Sequence, residues 1–317
     1  MQWRRGSLFC LAAASLIALL ACASVSGAAA PRAVALADGV YWLPGTGGAA
    51  DADNLGRIGN AGFLIGDSGV IAIDTGTSFA HGLALLAAIR AVTDKPVKLA
   101  LVTHTRPEFL FGGAAFRAQG IPIRMHSLTA RLMAARCETC LKTLRQTLGE
   151  AQMQGTAMYK ADQLFDATHE LDLIGRRVRV LAFGHSSGPG DIAVLDLRSG
   201  VLFAGGLVDV QRVPDIQDSD LPGWRRALAA LRGLEAGTIV PGHGDAVPSA
   251  TAIAAVQAYL DQLEARARAL VAQGLSLIDV PDASQLQAFE AWDQYETIHR
   301  RNASIAFLRV ERELMLK

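Results

Sequence analysis

The chain has 317 residues, 30 basic against 30 acidic side chains, and 51% hydrophobic residues. That leaves ample apolar material for a large core, while the zero formal charge gives no electrostatic footprint for a polyanion and excludes nucleic acid as a partner.

Residues 1–30 pair a basic start, Arg4 and Arg5, with an apolar run from Leu8 to Leu20 and then small residues. This is the pattern of a secretory signal, and the run is short of the roughly 20 apolar residues of a spanning helix. Export to the periplasm is expected, with the mature chain starting near Pro31. Leu19-Leu20-Ala21-Cys22 resembles a lipobox, so membrane attachment is expected only if Cys22 is lipidated. The mature chain then keeps two cysteines, Cys137 and Cys140, as a CxxC pair. In an oxidising compartment such a pair reads as a local disulfide or thiol pair rather than a structural zinc site, which needs four ligands.

In chain order, strands are expected at 40–43, 62–66 and 69–74, then a helix from the Ser78 cap to about Val92. Strands at 97–103 and 121–125 precede a long helix at 128–148. The second half repeats the grammar with strands at 177–183, 192–196, 201–204 and 238–241, a hairpin turn at Arg198-Ser199-Gly200 and a helix over 222–235. Two runs of strands and helices predict two sheets packed face to face with helices outside. From about Ser249 the pattern is helical, first to Gln273 and then from about Ala283 to Leu316.

Leu101 to Phe109, directly after a buried strand, carries His104, Arg106, Glu108 and Phe109 at the spacing of the HxHxDH turn of the metallo-β-lactamase superfamily, and resembles it. Four more landmarks follow that family's order. Asn60 to Gly76 resembles its opening strand pair, ending in the structural Asp74. Phe183-Gly184-His185 and Val240-Pro241-Gly242-His243 resemble strand ends that each supply a His ligand, and Leu202 to Val208 resembles the segment that supplies a bridging Asp. The resemblance implies an α/β (α+β) fold, an αββα sandwich over 38–248 with a helical extension over 249–317. It also implies a hydrolase whose zinc activates water. The CxxC helix, Arg212-Val213-Pro214, Asp220 to Trp224 and the ending from Tyr295 through His299, Asn302 and Glu311 resemble, more narrowly, the quinoprotein relay system zinc metallohydrolases. These are exported proteins associated with quinoprotein dehydrogenases.

The carry-over is incomplete. Arg106 stands at the second His, Glu108 at the Asp, Phe109 at the third His and Gly206 at the bridging carboxylate. The remaining metal set is His104, His185 and His243 with Glu108, and the expectation is at most one zinc ion, weakly held, or none. A guanidinium stays protonated and cannot ligate zinc. At 4 Å and an effective dielectric near 20 it repels a unit charge by roughly 4 kcal/mol and a divalent ion by about twice that. Arg106 either swings away or pairs with Glu108, and these two are the candidate catalytic residues. Asp209 is read as a surface residue, His126 and His169 lack ligand-like neighbours, and His299 with Asn302 is read as a packing or capping pair or as a rim of the pocket. Replacing Arg106 and Phe109 by His and Gly206 by Asp is expected to rebuild the metal positions. Two readings stay open: a periplasmic zinc hydrolase acting on a small molecule, and a non-catalytic binding or assembly module for a periplasmic protein such as a quinoprotein dehydrogenase system.

Overall fold

Alternation of apolar side chains along each strand decides the architecture, because successive residues point to opposite faces of a sheet. The computed structural model describes residues 31–316, so the expectations for residues 1–30, Cys22 included, lie outside the described residues. One sheet has seven strands in sequential order: β1 (Val34–Ala37), β2 (Val40–Leu43), β3 (Ala61–Ile65), β4 (Val70–Ile73), β5 (Val97–Leu101), β6 (Ile123–His126) and β7 (Gln163–Phe165). The second contains β8 (His169–Leu171), β9 (Val178–Ala182), β10 (Ile192–Asp196), β11 (Val201–Gly205), β12 (Thr238–Pro241) and β13 (Val247–Pro248), again in sequential order across the sheet.

In β4, Ile71 and Ile73 face the second sheet, while Val70 and Ala72 face helices α1 (Phe79–Arg90) and α4 (Ser127–Leu148). In β10, Ile192 and Val194 face back across the sandwich, and Ala193 and Leu195 meet α5 (Leu221–Arg232) and α6 (Ser249–Ala272). Strands buried on both faces read as continuous apolar runs, which is why these segments stand out in the sequence. The αββα sandwich is thus the observed fold.

Helix starts follow side-chain capping. The Ser78 hydroxyl accepts from His81 N at 3.1 Å, and Asp220 Oδ2 accepts from Gly223 N at 2.9 Å, each satisfying an amide the helix leaves free. At the end of the sandwich away from His104, the buried Arg176 makes two 2.7 Å bonds to Asp196 and also donates to the carbonyls of Ile65 and Asp38, tying the two sheets together.

The C-terminal segment departs from expectation. Instead of one helix from Ala283, the chain forms the short α7 (Val280–Ala283), a 3-10 turn at 287–289, a π turn at 295–299 and then α8 (Arg300–Met315). Gln294 takes a left-handed φ of 63°, and the Leu286 amide donates to the Tyr295 hydroxyl at 2.7 Å. Phe289 and Trp292 stack edge to face at 4.7 Å between centroids. Aromatic packing here overrides helix propensity.

Candidate functional site

Asp74 follows β4 directly and adopts a left-handed φ of 61°, an arrangement that Asp tolerates better than most residues. Its amide donates to Leu101 O at 2.8 Å, and its carboxylate accepts from Thr103 N at 2.8 Å and from the Thr103 hydroxyl. The loop that leaves β5 is therefore fixed one residue before His104. Burial raises the Asp74 carboxyl to about 7, with the bonds from Thr103 opposing that rise. Pro107 then opens α2 (Pro107–Leu110), where its missing N–H costs nothing, and Glu108 and Phe109 point inward, both buried.

The histidines at the two strand ends are each held by a buried aspartate. His104 Nδ1 lies 2.5 Å from Asp191 Oδ1, and Asp191 Oδ2 accepts from Ser186 Oγ, Ser187 Oγ and Gly188 N at 2.6, 2.7 and 2.8 Å. His243 Nδ1 lies 2.8 Å from Asp209 Oδ1, and its Nε2 is 3.2 Å from Glu108 Oε1, an ionic approach without hydrogen-bond alignment. Phe109 sits edge-on to both imidazoles, with centroids 5.9 Å from His104 and 5.5 Å from His243. It fills with hydrocarbon the place where the resemblance puts a third histidine.

Burial alone disfavours charge on these groups, but their mutual attraction outweighs it. Glu108 is pushed up by burial, yet the approach and charge of His243, then Arg106, hold it at about 2. Asp191 and Asp209 are likewise held below the usual carboxylate range, by His104 and the serines in one case and by His243, Arg106 and Arg212 in the other. His243 is lowered by burial and raised further by Asp209 and Glu108, ending above its ordinary value.

Arg106 does not pair with Glu108. Its guanidinium donates to Asp215 O at 3.1 Å and stands 3.7 Å from Asp209 Oδ2, because Glu108 is taken by His243. Asp209, expected at the surface, is buried: the turn at Gly206-Leu207 after β11 carries the chain back so that Asp209 meets His243. His185 goes the other way. The loop Ser186–Gly188 closes on Asp191, and the preceding His185 is left exposed with Nε2 2.7 Å from Asp218 O, so it does not join His104, His243 and Glu108. Asp191 is the functional residue that sequence reasoning missed. Its signal was an acidic residue directly before the apolar run Ile192–Leu195, which has to find a polar partner when buried.

Cys137 and Cys140 lie mid-way along α4 as free thiols, Cys137 buried and Cys140 half-buried. With Arg106 and Glu108 they line one cavity of about 310 Å³. His299 and Asn302 are fully buried. The Asn302 amide group accepts from Ile216 N and donates to Pro214 O at 2.7 Å, so α8 pins the loop whose Asp215 holds Arg106.

Two sheets flanked by helices, with histidines and carboxylates gathered at the strand ends, match the metallo-beta-lactamase superfamily model over residues 55–243, and the chain belongs to that superfamily. Among solved structures it is similar to a metallo-beta-lactamase from Pontibacter korlensis, with 21% identity, 73% of this chain and 99% of that one covered, and a TM-score of 0.60. It is also similar to the enzyme from Hirschia baltica, with 19% identity, 73% and 97% covered and a TM-score of 0.57. A third is FIM-1 from Pseudomonas aeruginosa in a mono-zinc form, with 20% identity, 74% and 96% covered and a TM-score of 0.58. A comparison with curated proteins finds no match.

Zinc is the ion this superfamily usually binds, and the donor set here does not fit it. Catalytic zinc takes three protein ligands around an open position. Here His185 has turned outward, Phe109 and Gly206 offer no donor atom, and a permanent cation stands beside Asp209. Among the described residues no group of three or more His, Cys, Asp or Glu side chains is placed to hold a metal.

Proposed function

We propose that the chain is an exported binding or assembly module of the quinoprotein relay type. In this reading a hydrolase fold has exchanged its zinc centre for an internal network of charges. The observation that carries the reading is Arg106, bonded to Asp215 O and facing Asp209 inside the pocket. The cation that neutralises the buried carboxylates is then part of the chain, and no Lewis acid is needed to hold the pocket together. The cavity, walled by Arg106, Arg136 and Arg212 against Glu108, Asp215 and Asp218 with Leu132 and Ile298 between, suits a small polar ligand or a side chain of a periplasmic partner.

One observation favours the rival zinc hydrolase. His104 and His243 both present Nδ1 to a buried carboxylate, the arrangement that orients metal-ligating histidines. Metal analysis and zinc calorimetry on protein purified without added zinc separate the two. The expected result is less than one zinc ion per chain, no hydrolysis of ester or lactam substrates, and tighter zinc binding in Arg106→His, which adds an imidazole and removes a positive charge. Two tightly held ions per wild-type chain would return the protein to the hydrolases.

A further inference from the structure

The cavity at the strand ends has a second wall that the charge network does not use. Cys137 and Cys140 sit one helical turn apart on α4 and both line it, next to Arg136 and Asp218. Cys140 Sγ lies 3.7 Å from the carbonyl oxygen of Arg136, one turn back on the same helix. Cys137 is 2% exposed, whereas Cys140 is half-buried at the cavity wall, so a molecule in the cavity reaches Cys140 first.

We propose that this pair is a thiol–disulfide exchange site opening into the cavity, with Cys140 as the entry thiol, Cys137 as the resolving thiol, and low-molecular-weight thiols and disulfides as substrates. The proposal goes beyond the binding reading above and does not depend on it, since neither sulfur belongs to the His104 and His243 clusters. In the forward step the Cys140 thiolate attacks one sulfur of the disulfide, the S–S bond breaks, and the departing thiolate takes a proton from water. Cys137 then attacks the Cys140 sulfur of the mixed disulfide, and its proton leaves with the second half as a thiol. Two electrons have passed from the pair to the substrate, which ends as two thiols.

The thiol order follows from the surroundings. The adjoining Cys137 thiol lowers Cys140 below the usual thiol range against the opposing effect of burial, while Arg136 favours the thiolate and Asp218 opposes it. The same pairing raises Cys137, with burial adding to it. Reactivity tracks the thiolate, so the accessible sulfur is also the nucleophilic one. The helix keeps the couple reversible. Residues three apart on a regular helix hold their Cβ atoms about 5–6 Å apart, and a disulfide needs roughly 3.5–4.5 Å. Closing the bond therefore strains a helical turn, and strained disulfides are easily reduced.

The test uses the full mature chain, reduced and then exposed to oxidised glutathione, with intact-mass readout after rapid acid quench. Wild type is expected to lose two hydrogens without retaining an adduct. Cys137→Ser and Cys137→Ala are expected to accumulate one glutathionyl adduct, and Cys140→Ser to react at least about tenfold more slowly, since the remaining sulfur is buried. Two alanine or serine versions at position 137 guard against a packing defect in either one. Wild type that stays a dithiol at oxidising glutathione ratios, or a Cys140→Ser variant that is modified as fast as Cys137→Ser, would overturn the proposal.

Discussion

At the scale of single residues, two glycines decide what the site is. A Cβ at Gly206 would lie 2.7 Å from His104 Cγ and Nδ1, and one at Gly188 would lie 2.6 Å from His104 Cε1, so the ring is clamped between two bare backbones. Restoring a carboxylate by Gly206→Asp, as the sequence suggests, therefore meets a His104 ring that leaves it no room. The new side chain would have to expel His104 and break its 2.5 Å contact with Asp191. We expect Gly206→Asp to cost on the order of 3 kcal/mol, at the upper end of overpacking plus an orphaned polar partner, and to leave zinc affinity no higher. Urea unfolding and calorimetry on the variant check this. Wild-type stability with tighter zinc would show that the ring has somewhere else to go.

Among the elements, Arg176, just before β9, is a buried polar tie between β10 and β3 outside the site. Arg176 and Asp196 are both essentially inaccessible, and the guanidinium also donates to the carbonyls of Ile65 in β3 and of Asp38 in the β1–β2 turn. Removing one member leaves an uncompensated buried charge, so Arg176→Met is expected to destabilise by about 3–5 kcal/mol. Arg176→Met with Asp196→Leu should cost less than Arg176→Met alone, because an apolar pair of similar volume strands no charge. Denaturant midpoints of the two variants decide, and a double variant less stable than the single would contradict the argument. The same logic makes α8 part of the pocket: through Asn302 it holds the Pro214–Ile216 loop, and through that loop Arg106.

For the whole molecule, the superfamily match ends at residue 243, but the core does not. Leu202, Ala204 and Trp224 share one apolar cluster with Leu260, Leu263, Phe307 and Val310, so the helices after Ser249 cover the outer face of the second sheet. A chain ending at residue 248 is expected to lose cooperative unfolding and to aggregate, since it exposes a continuous apolar sheet face. Size-exclusion chromatography and thermal unfolding of the truncated chain test it. A soluble, cooperatively folding 31–248 fragment would make the extension a separable appendage.

What the sequence by itself determined is the scaffold. Apolar runs such as Val70–Ile73 and Ile192–Leu195, the Ser78 cap and five motifs in superfamily order are local signals, and strand alternation translates them directly into two sheets and their outer helices. It also showed Arg106, Phe109 and Gly206 at positions where the resemblance puts ligands, because an absent donor is visible in a single residue. The fate of the replacements was a tertiary decision. Whether Arg106 turns to Glu108, two residues away, or to Asp209 and Asp215, more than a hundred residues away, depends on which partners the fold brings within reach, as does the turning outward of His185. Asp191 and Asp209 gave little warning as isolated acidic residues, since only the packing of β10 and the turn after β11 puts them beside His104 and His243. The cavity shared by the old ligand loop and the CxxC helix is likewise set by long-range packing that no local pattern encodes.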